Sequence, residues 1–220
     1  MRWHERNGVR WLEADLPGAK AVFSTRLGGS VKESRLPLAT ALGLSPDRIA
    51  IARQVHGADL AFHPRSRDEI PEADGHVVSE PGLSALVFVA DCLPVAMVGP
   101  GGVAMLHCGW RGLAAGIVAR GAEAVGATHA AIGPGVGPCC YEVGDEVLGA
   151  FAGLGEGVAS GRMLDLSEVA RHLLRDAGVE GVESAGLCTS CEGELFFSHR
   201  RDAGRTGRQA GLVWLDGGVD

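Results

Sequence analysis

A chain of 220 residues with 46% apolar side chains can bury a substantial core, and its length reads as a single domain over residues 1–220. The formal net charge of −7, without long runs of one sign, excludes the basic footprint that a nucleic-acid partner requires. Of 20 basic residues only Lys20 and Lys32 are lysine; the arginines suit bidentate grip on phosphate or carboxylate.

The N-terminal "MRWHERNGVRWLEADLPG" has no unbroken apolar run of the signal-peptide kind. Apolar and β-branched runs predict strands at residues 21–25, 74–78, 84–89, 95–98, 103–107, 130–133 and 211–214. The longest apolar stretch, "GLSALVFVADCLPVAMVG", is interrupted by Asp91 and Pro94, so no membrane span is expected and a cytoplasmic location is. Between these strands, spacings of three and four predict a helix over 113–125. A second helix, over 166–177, starts near a cap at Asp165 and stops at Gly178. Helices and strands mix without strict alternation, which predicts an α/β domain of the α+β type, with layered mixed sheets flanked by helices. Oligomeric state is left open by the sequence; a monomer is compatible with it.

Three soft metal ligands fall at the ends of these elements: His56 in "RQVHGAD", Cys92 in "VADCLP" and His107 in "MLHCGW". Each is followed within two residues by Gly or Pro, which turns the chain and leaves the preceding side chain at a rim. Strand alternation sends His107 and Cys108 to opposite faces, so His107 alone joins a common site and Cys108 packs. Two His and one Cys make a zinc site with a fourth position open, the pattern of a catalytic metal. The competing reading is three separately satisfied residues, since spacings of 36 and 15 match no short zinc motif. Cys139 and Cys140 are adjacent, which disfavours both binding one ion and reads as packing. Cys188 and Cys191 form a CxxC without a second pair, which reads as structural.

Arginine is concentrated in "SHRRDAGRTGRQAG", where Arg200, Arg201 and Arg205 offer either an anion cradle or a solvated face. Arg111 sits at the predicted start of the helix after His107, beside its free N–H groups. A metal ligand, a glycine turn and an arginine in succession bring a Lewis acid near an anion clamp. That combination suits a substrate with a polarised carbon and a phosphate.

The blocks "FSTRLGG", "RQVHGAD", "ADGHVV", "VADCLPV", "AMLHCGWRGLAAGI", "IGPGVGPCCYEVGDEV", "LDL", "GLCTSC" and "ELFFSHRRDAGRTGRQAGLVWL" run in order over nearly the whole chain. In these it resembles the YfiH-like family, labelled multicopper polyphenol oxidoreductases or laccase-domain proteins and regarded as enzymes of purine nucleoside metabolism. The resemblance implies a layered α/β fold and a zinc held by His56, Cys92 and His107. It also implies phosphorolysis of adenosine, inosine, guanosine and methylthioadenosine, with adenosine deamination besides, the partners being a nucleoside and phosphate. Arg26, in "FSTRLGG", joins Arg111, Arg200, Arg201 and Arg205 as an expected phosphate-binding residue. The chain departs from the family pattern over residues 30–52, where the family carries a longer segment with an Asn-Leu pair, an acidic residue and an Asn-Arg pair; if that segment lines the pocket, substrate range changes with it.

Two other chemistries share these residues. Copper bound by two His and a Cys, with Met97 or Met105 as a weak axial ligand, would suit phenol oxidation; yet the chain has 8 His and no HxH pair, whereas a four-copper laccase needs several such pairs. Cys92 as a nucleophile with His107 or His56 as its base would make a cysteine hydrolase. The H-x-E and P-C-x-x-C signature of cytidine-deaminase-type enzymes is absent, so deamination would need a differently built centre.

Overall fold

The computed structural model describes residues 1–63 and 70–217. In chain order it contains β1 (Arg2–Arg6), β2 (Val9–Leu16), β3 (Ala19–Ser24), α1 (Leu36–Leu42), β4 (Ile49–Ala50), β5 (Leu60–His63), β6 (Gly75–Val78), β7 (Ser84–Val89), β8 (Leu93–Gly99) and β9 (Gly102–Cys108). These are followed by α2 (Trp110–Ala114), α3 (Ile117–Val125), β10 (His129–Ile132), α4 (Asp145–Phe151), β11 (Ala159–Ser160), β12 (Met163–Leu164), α5 (Leu166–Asp176), β13 (Gly181–Ser184) and β14 (Gln209–Leu215). Every strand expected from periodicity, and the helix expected over 166–177, is present within a few residues of its predicted ends.

The strands form two six-stranded sheets, β1-β2-β3-β14-β7-β4 and β13-β10-β8-β9-β6-β5, with β11 and β12 as a separate short ribbon. Pairing is antiparallel except at the margins, where β4 joins β7, β5 joins β6 and β13 joins β10 in parallel. The two sheets face one another across a core that includes Leu12, Phe23, Val87 and Val89 from the first and Ala96, Val98, Val103, Met105 and Ala131 from the second. The outer face of the first sheet buries Trp11, Val22, Leu86, Leu212 and Trp214 with Leu38, Ala39 and Ala41 of α1. The outer face of the second packs Val77, Val95, Met97 and Leu106 with Ile117, Val118 and Val125 of α3 and Val169, Ala170 and Leu174 of α5. The central strands are therefore apolar on both faces, which explains their continuous apolar runs.

The helix predicted over 113–125 is two helices. Its first turn begins earlier, at Trp110, and Gly116 at φ 85° ends α2 and starts α3 in a new direction. In α5 the Asp165 carboxylate accepts the Glu168 N–H at 3.0 Å, the expected cap, and Gly178 at φ 81° follows the helix end. Among the described residues no helix is long and apolar enough to cross a membrane.

Candidate functional site

Strand register assembles the centre. β9 lies between β8 and β6, and pairing of Leu93 with Cys108 and of Pro94 with His107 sets the start of β8 beside the end of β9. Cys92, the residue before β8, therefore arrives next to His107. On the other side Gly75 pairs with Leu106, so Asp74, the residue before β6, also faces His107. His56 comes from the loop between β4 and β5. Donor atoms of His56, Cys92 and His107 lie within 4.8 Å of one another, and the two imidazoles meet edge-on with ring centroids 4.8 Å apart.

Asp74 organises this arrangement. It is fully buried, and its carboxylate accepts the backbone N–H groups of Val55 (3.0 Å), His56 (2.9 Å) and Gly57 (2.7 Å). Its Oδ1 also pairs with His107 Nδ1 at 2.7 Å, while the His107 N–H donates to the Asp74 carbonyl. One side chain thus fixes both the loop that presents His56 and the ring orientation of His107, whose Nε2 is the nitrogen that Asp74 does not engage. Burial alone would raise the Asp74 pKa, but the bonds from His107, Gly57 and Val55 outweigh it and hold the carboxyl below its usual range.

Burial would likewise raise the Cys92 thiol, yet the neighbouring charge of His107 and hydrogen bonds from His107 and His56 bring it down to about 6. His107 moves the opposite way, to about 9, because Cys92 and Asp74 outweigh its burial. Cys108, one residue on, faces the core and is pushed well above the thiol range by burial.

Two residues here hold backbone conformations that L-amino acids rarely adopt: His56 at φ 62° and Asp91 at φ 86°. The Asp91 carboxylate compensates by accepting the Thr189 hydroxyl at 2.6 Å and the Arg200 backbone N–H at 2.6 Å. At Gly109 a Cβ would sit 3.1 Å from Cys92 Sγ and 3.4 Å from His56 Cδ2, so glycine keeps the space beside the three donors clear.

The three donors line a cavity of about 590 Å³. Its walls carry Lys32, Arg53, Arg111, Arg200 and Arg208 together with Phe88, Trp110 and Tyr141. The Arg111 guanidinium lies 4.4 Å over the Trp110 ring and makes no ion pair among the described residues. Arg200 lies 5.2 Å over the Tyr141 ring and donates to the Glu142 carbonyl. Gln54 grips the backbone of Phe88 through paired bonds of 2.9 and 2.7 Å, fixing that wall.

The other expected phosphate contacts are not among the cavity's lining residues. Arg26 donates to the Gly193 carbonyl and stacks on Phe197. The Arg201 guanidinium is consumed by Asp202 and by the carbonyls of Thr189 and Phe196, so it buttresses its own loop. Arg205 is exposed on that loop. Met97 and Met105, considered as axial copper ligands, are wholly buried in the core and absent from the cavity walls. Sequence reasoning missed Asp74 as a site residue, although a metal-binding imidazole usually donates its second N–H to a carboxylate, and an Asp opening a buried strand in "ADGHVV" was the available signal. It also missed Phe88, which β7 carries in register with Ala210 of β14, and Tyr141 and Lys32, whose positions follow from loop packing.

The model of the family described as multi-copper polyphenol oxidoreductase laccase matches residues 27–216. The chain belongs to this family. Within it, the chain is 40% identical to a purine nucleoside phosphorylase of Deinococcus radiodurans, covering 94% of each sequence. It is 33% identical to purine nucleoside phosphorylase YlmD of Geobacillus stearothermophilus, covering 92% of this chain and 93% of that one. Among solved structures, Bacillus licheniformis hypothetical protein YfiH superposes with a TM-score of 0.85 at 28% identity, over 97% of this chain and 99% of the other. The family's two-sheet architecture is thus the one described above.

Proposed function

We propose that the protein is a zinc-dependent purine nucleoside phosphorylase acting on adenosine, inosine, guanosine and methylthioadenosine, with hydrolytic deamination of adenosine as a second activity. The observation that carries this reading is the convergence of the donor atoms of His56, Cys92 and His107 within 4.8 Å, in the lining of a cavity whose walls also carry cationic and aromatic side chains. The relatives named purine nucleoside phosphorylase support the reaction class.

The residues present fit zinc. One thiolate and two imidazoles are the donor types zinc prefers, three protein ligands leave a position for a reactant, and the Asp74 carboxylate behind His107 is the outer partner such an imidazole requires. Gly109 leaves the approach unobstructed. When bound, zinc supplies Lewis acidity at the reacting end of the cavity. Copper is the alternative metal for the same donors.

In phosphorolysis a phosphate oxygen forms a bond to ribose C1′ as the C1′–N9 bond breaks, and the purine leaves with the electron pair and takes up a proton. Arg111 and Arg200 hold the phosphate and neutralise its charge, which orients the attacking oxygen. A volume of about 590 Å³ suits a nucleoside with its phosphate. Phe88, anchored by Gln54, offers its ring to the base. Burial, together with the nearby Cys92 charge, pushes Tyr141 to about 12, so it stays a neutral hydrogen-bond donor. In deamination water adds at the purine C6 and ammonia departs.

Purified protein with measured zinc content, given inosine and phosphate, releases hypoxanthine and ribose 1-phosphate in equal amounts; given adenosine without phosphate, it releases ammonia. Absence of turnover on all four nucleosides in zinc-replete protein overturns the reading. One observation favours a second one: Cys92, His107 and Asp74 are aligned as nucleophile, base and orienting carboxylate. A cysteine hydrolase would keep its activity after zinc removal and lose it to mild alkylation of Cys92.

A further inference from the structure

Four thiols lie outside the chemistry assigned above. Cys139 and Cys140 occupy the turn after β10, and Cys188 and Cys191 the turn after β13. Their four Sγ atoms lie within 4.8 Å of one another, and all four cysteines are free thiols. The CxxC that lacks a second pair in the sequence finds one in space: the adjacent Cys139 and Cys140, expected to be packing residues, both turn toward Cys191, with Sγ–Sγ distances of 3.4 and 3.5 Å. A tetrahedron of sulfurs about an ion, with metal–sulfur bonds of about 2.3 Å, has an edge of about 3.8 Å, so the four atoms already stand close to that spacing.

The backbone around them is shaped for thiolates. The Gly137 N–H donates to Cys188 Sγ at 3.2 Å. Such a bond offsets negative charge on sulfur. A Cβ at position 137 would lie 3.4 Å from Cys139 Sγ and 3.5 Å from Cys188 Sγ, so the loop closes over the cluster with glycine there. Gly135 and Cys188 form a bridge, and the Thr189 N–H donates to the Gly135 carbonyl, which locks the two turns side by side.

We propose that Cys139, Cys140, Cys188 and Cys191 bind one zinc ion in a closed, structural S4 site, distinct from the centre at His56, Cys92 and His107. Four protein ligands leave no position for a reactant, which marks such a site as structural. The four thiols release their protons on binding, giving a cluster of net charge −2 that the Gly137 N–H faces. Its role follows from what the two turns carry. Cys140 precedes Tyr141, over whose ring Arg200 lies. Cys188 and Cys191 flank Thr189, whose hydroxyl holds the Asp91 carboxylate that in turn holds the Arg200 backbone. The ion therefore clamps the two segments that position Arg200 in the cavity wall.

The test uses the full chain purified under reducing conditions, as wild type, Cys92→Ala and Cys188→Ser/Cys191→Ser. Elemental analysis of Cys92→Ala is expected to find one zinc per chain, and X-ray absorption on that protein four sulfur neighbours at about 2.3 Å with no nitrogen or oxygen. Because Cys92→Ala removes a donor from the other centre, this result is independent of whether that centre holds zinc. Cobalt added to metal-stripped Cys92→Ala should give the intense thiolate-to-metal charge-transfer band of a four-sulfur site. Cys188→Ser/Cys191→Ser should lose that band and one zinc per chain, and should melt at a lower temperature. Four outcomes overturn the proposal: no metal in Cys92→Ala, nitrogen or oxygen ligands, iron in place of zinc, or a disulfide joining the two cysteine pairs in freshly isolated, thiol-blocked protein.

Discussion

Replacing Asp74 by asparagine tests whether one buried carboxylate organises the candidate centre. Its two oxygens serve four donors: Oδ1 takes the His56 N–H and His107 Nδ1, and Oδ2 takes the N–H groups of Val55 and Gly57. An asparagine amide keeps the shape but turns one acceptor into a donor, so its NH2 faces either the Val55 and Gly57 N–H groups or the His56 N–H and His107 Nδ1. The first orientation loses two hydrogen bonds and the second, once His107 changes tautomer, loses one; at about 1–3 kcal/mol each this gives a destabilisation of ~1–6 kcal/mol. Relief of the carboxylate's desolvation cost offsets part of this, so the lower half of that range is expected. If the amide nitrogen faces His107, the ring must carry its proton on Nε2, the nitrogen needed by a metal, and affinity falls by roughly 10–100-fold. Urea unfolding measures the first effect and competition with a chromophoric chelator the second. A D74N protein with wild-type stability and wild-type zinc affinity would refute the assignment of Asp74 as the organiser of both the His56 loop and the His107 ring.

Further expectations follow from single contacts. Gly109→Ala puts a methyl 3.1 Å from Cys92 Sγ; its backbone is at φ −80°, which alanine adopts freely, so the melting temperature should hold while zinc retention and turnover fall. Arg111→Gln removes a cavity cation that forms no ion pair among the described residues. A lost charge-assisted bond of about 1.5–3 kcal/mol corresponds to a rise of roughly 10–150-fold in the KM for phosphate, with nucleoside binding little changed, as steady-state kinetics varied in each substrate would show. His76 is wholly buried, its Nδ1 paired with His63 Nε2, and burial, together with repulsion from His63, drives it down to about 3, Asp74 opposing. The unfolded chain takes up a proton near pH 6.5 that the folded one refuses, so this contribution is full above that pH and fades as pH falls toward 3. Between pH 7 and 5 the loss is ~2 kcal/mol, measurable by denaturant titration, and His76→Gln should flatten the slope.

What the sequence made legible is what depends on local period. The alternation in "AMLHCGW" separates His107 from Cys108, and the structure does face the former to the cavity and the latter to the core. The Asp165 cap and the stop at Gly178 likewise follow from neighbours in the chain. Two local signals went unread. Asn-Gly at positions 7 and 8, at φ 54° and 75°, is the turn that makes β1 and β2 a hairpin, and Gly116 breaks the helix after His107 although its apolar spacing continues across the break.

Other features were hidden for a different reason: they are consequences of register between strands far apart in sequence. Asp74 meets His107 because β6 pairs with β9 at Gly75 and Leu106, and no spacing within either segment encodes that pairing. The arginines illustrate the reverse error. Residues 200, 201 and 205 share one basic run, but a single turn of loop sends Arg200 to the cavity wall, locks Arg201 onto Asp202 and neighbouring carbonyls, and leaves Arg205 in solvent. Charge density in sequence therefore identifies a loop but not which side chain of it faces a ligand. A cation without an acidic partner is the better guide to a ligand-facing residue, and Arg111 meets that criterion: it lines the cavity, forms no ion pair among the described residues, and its guanidinium is already held over the Trp110 ring.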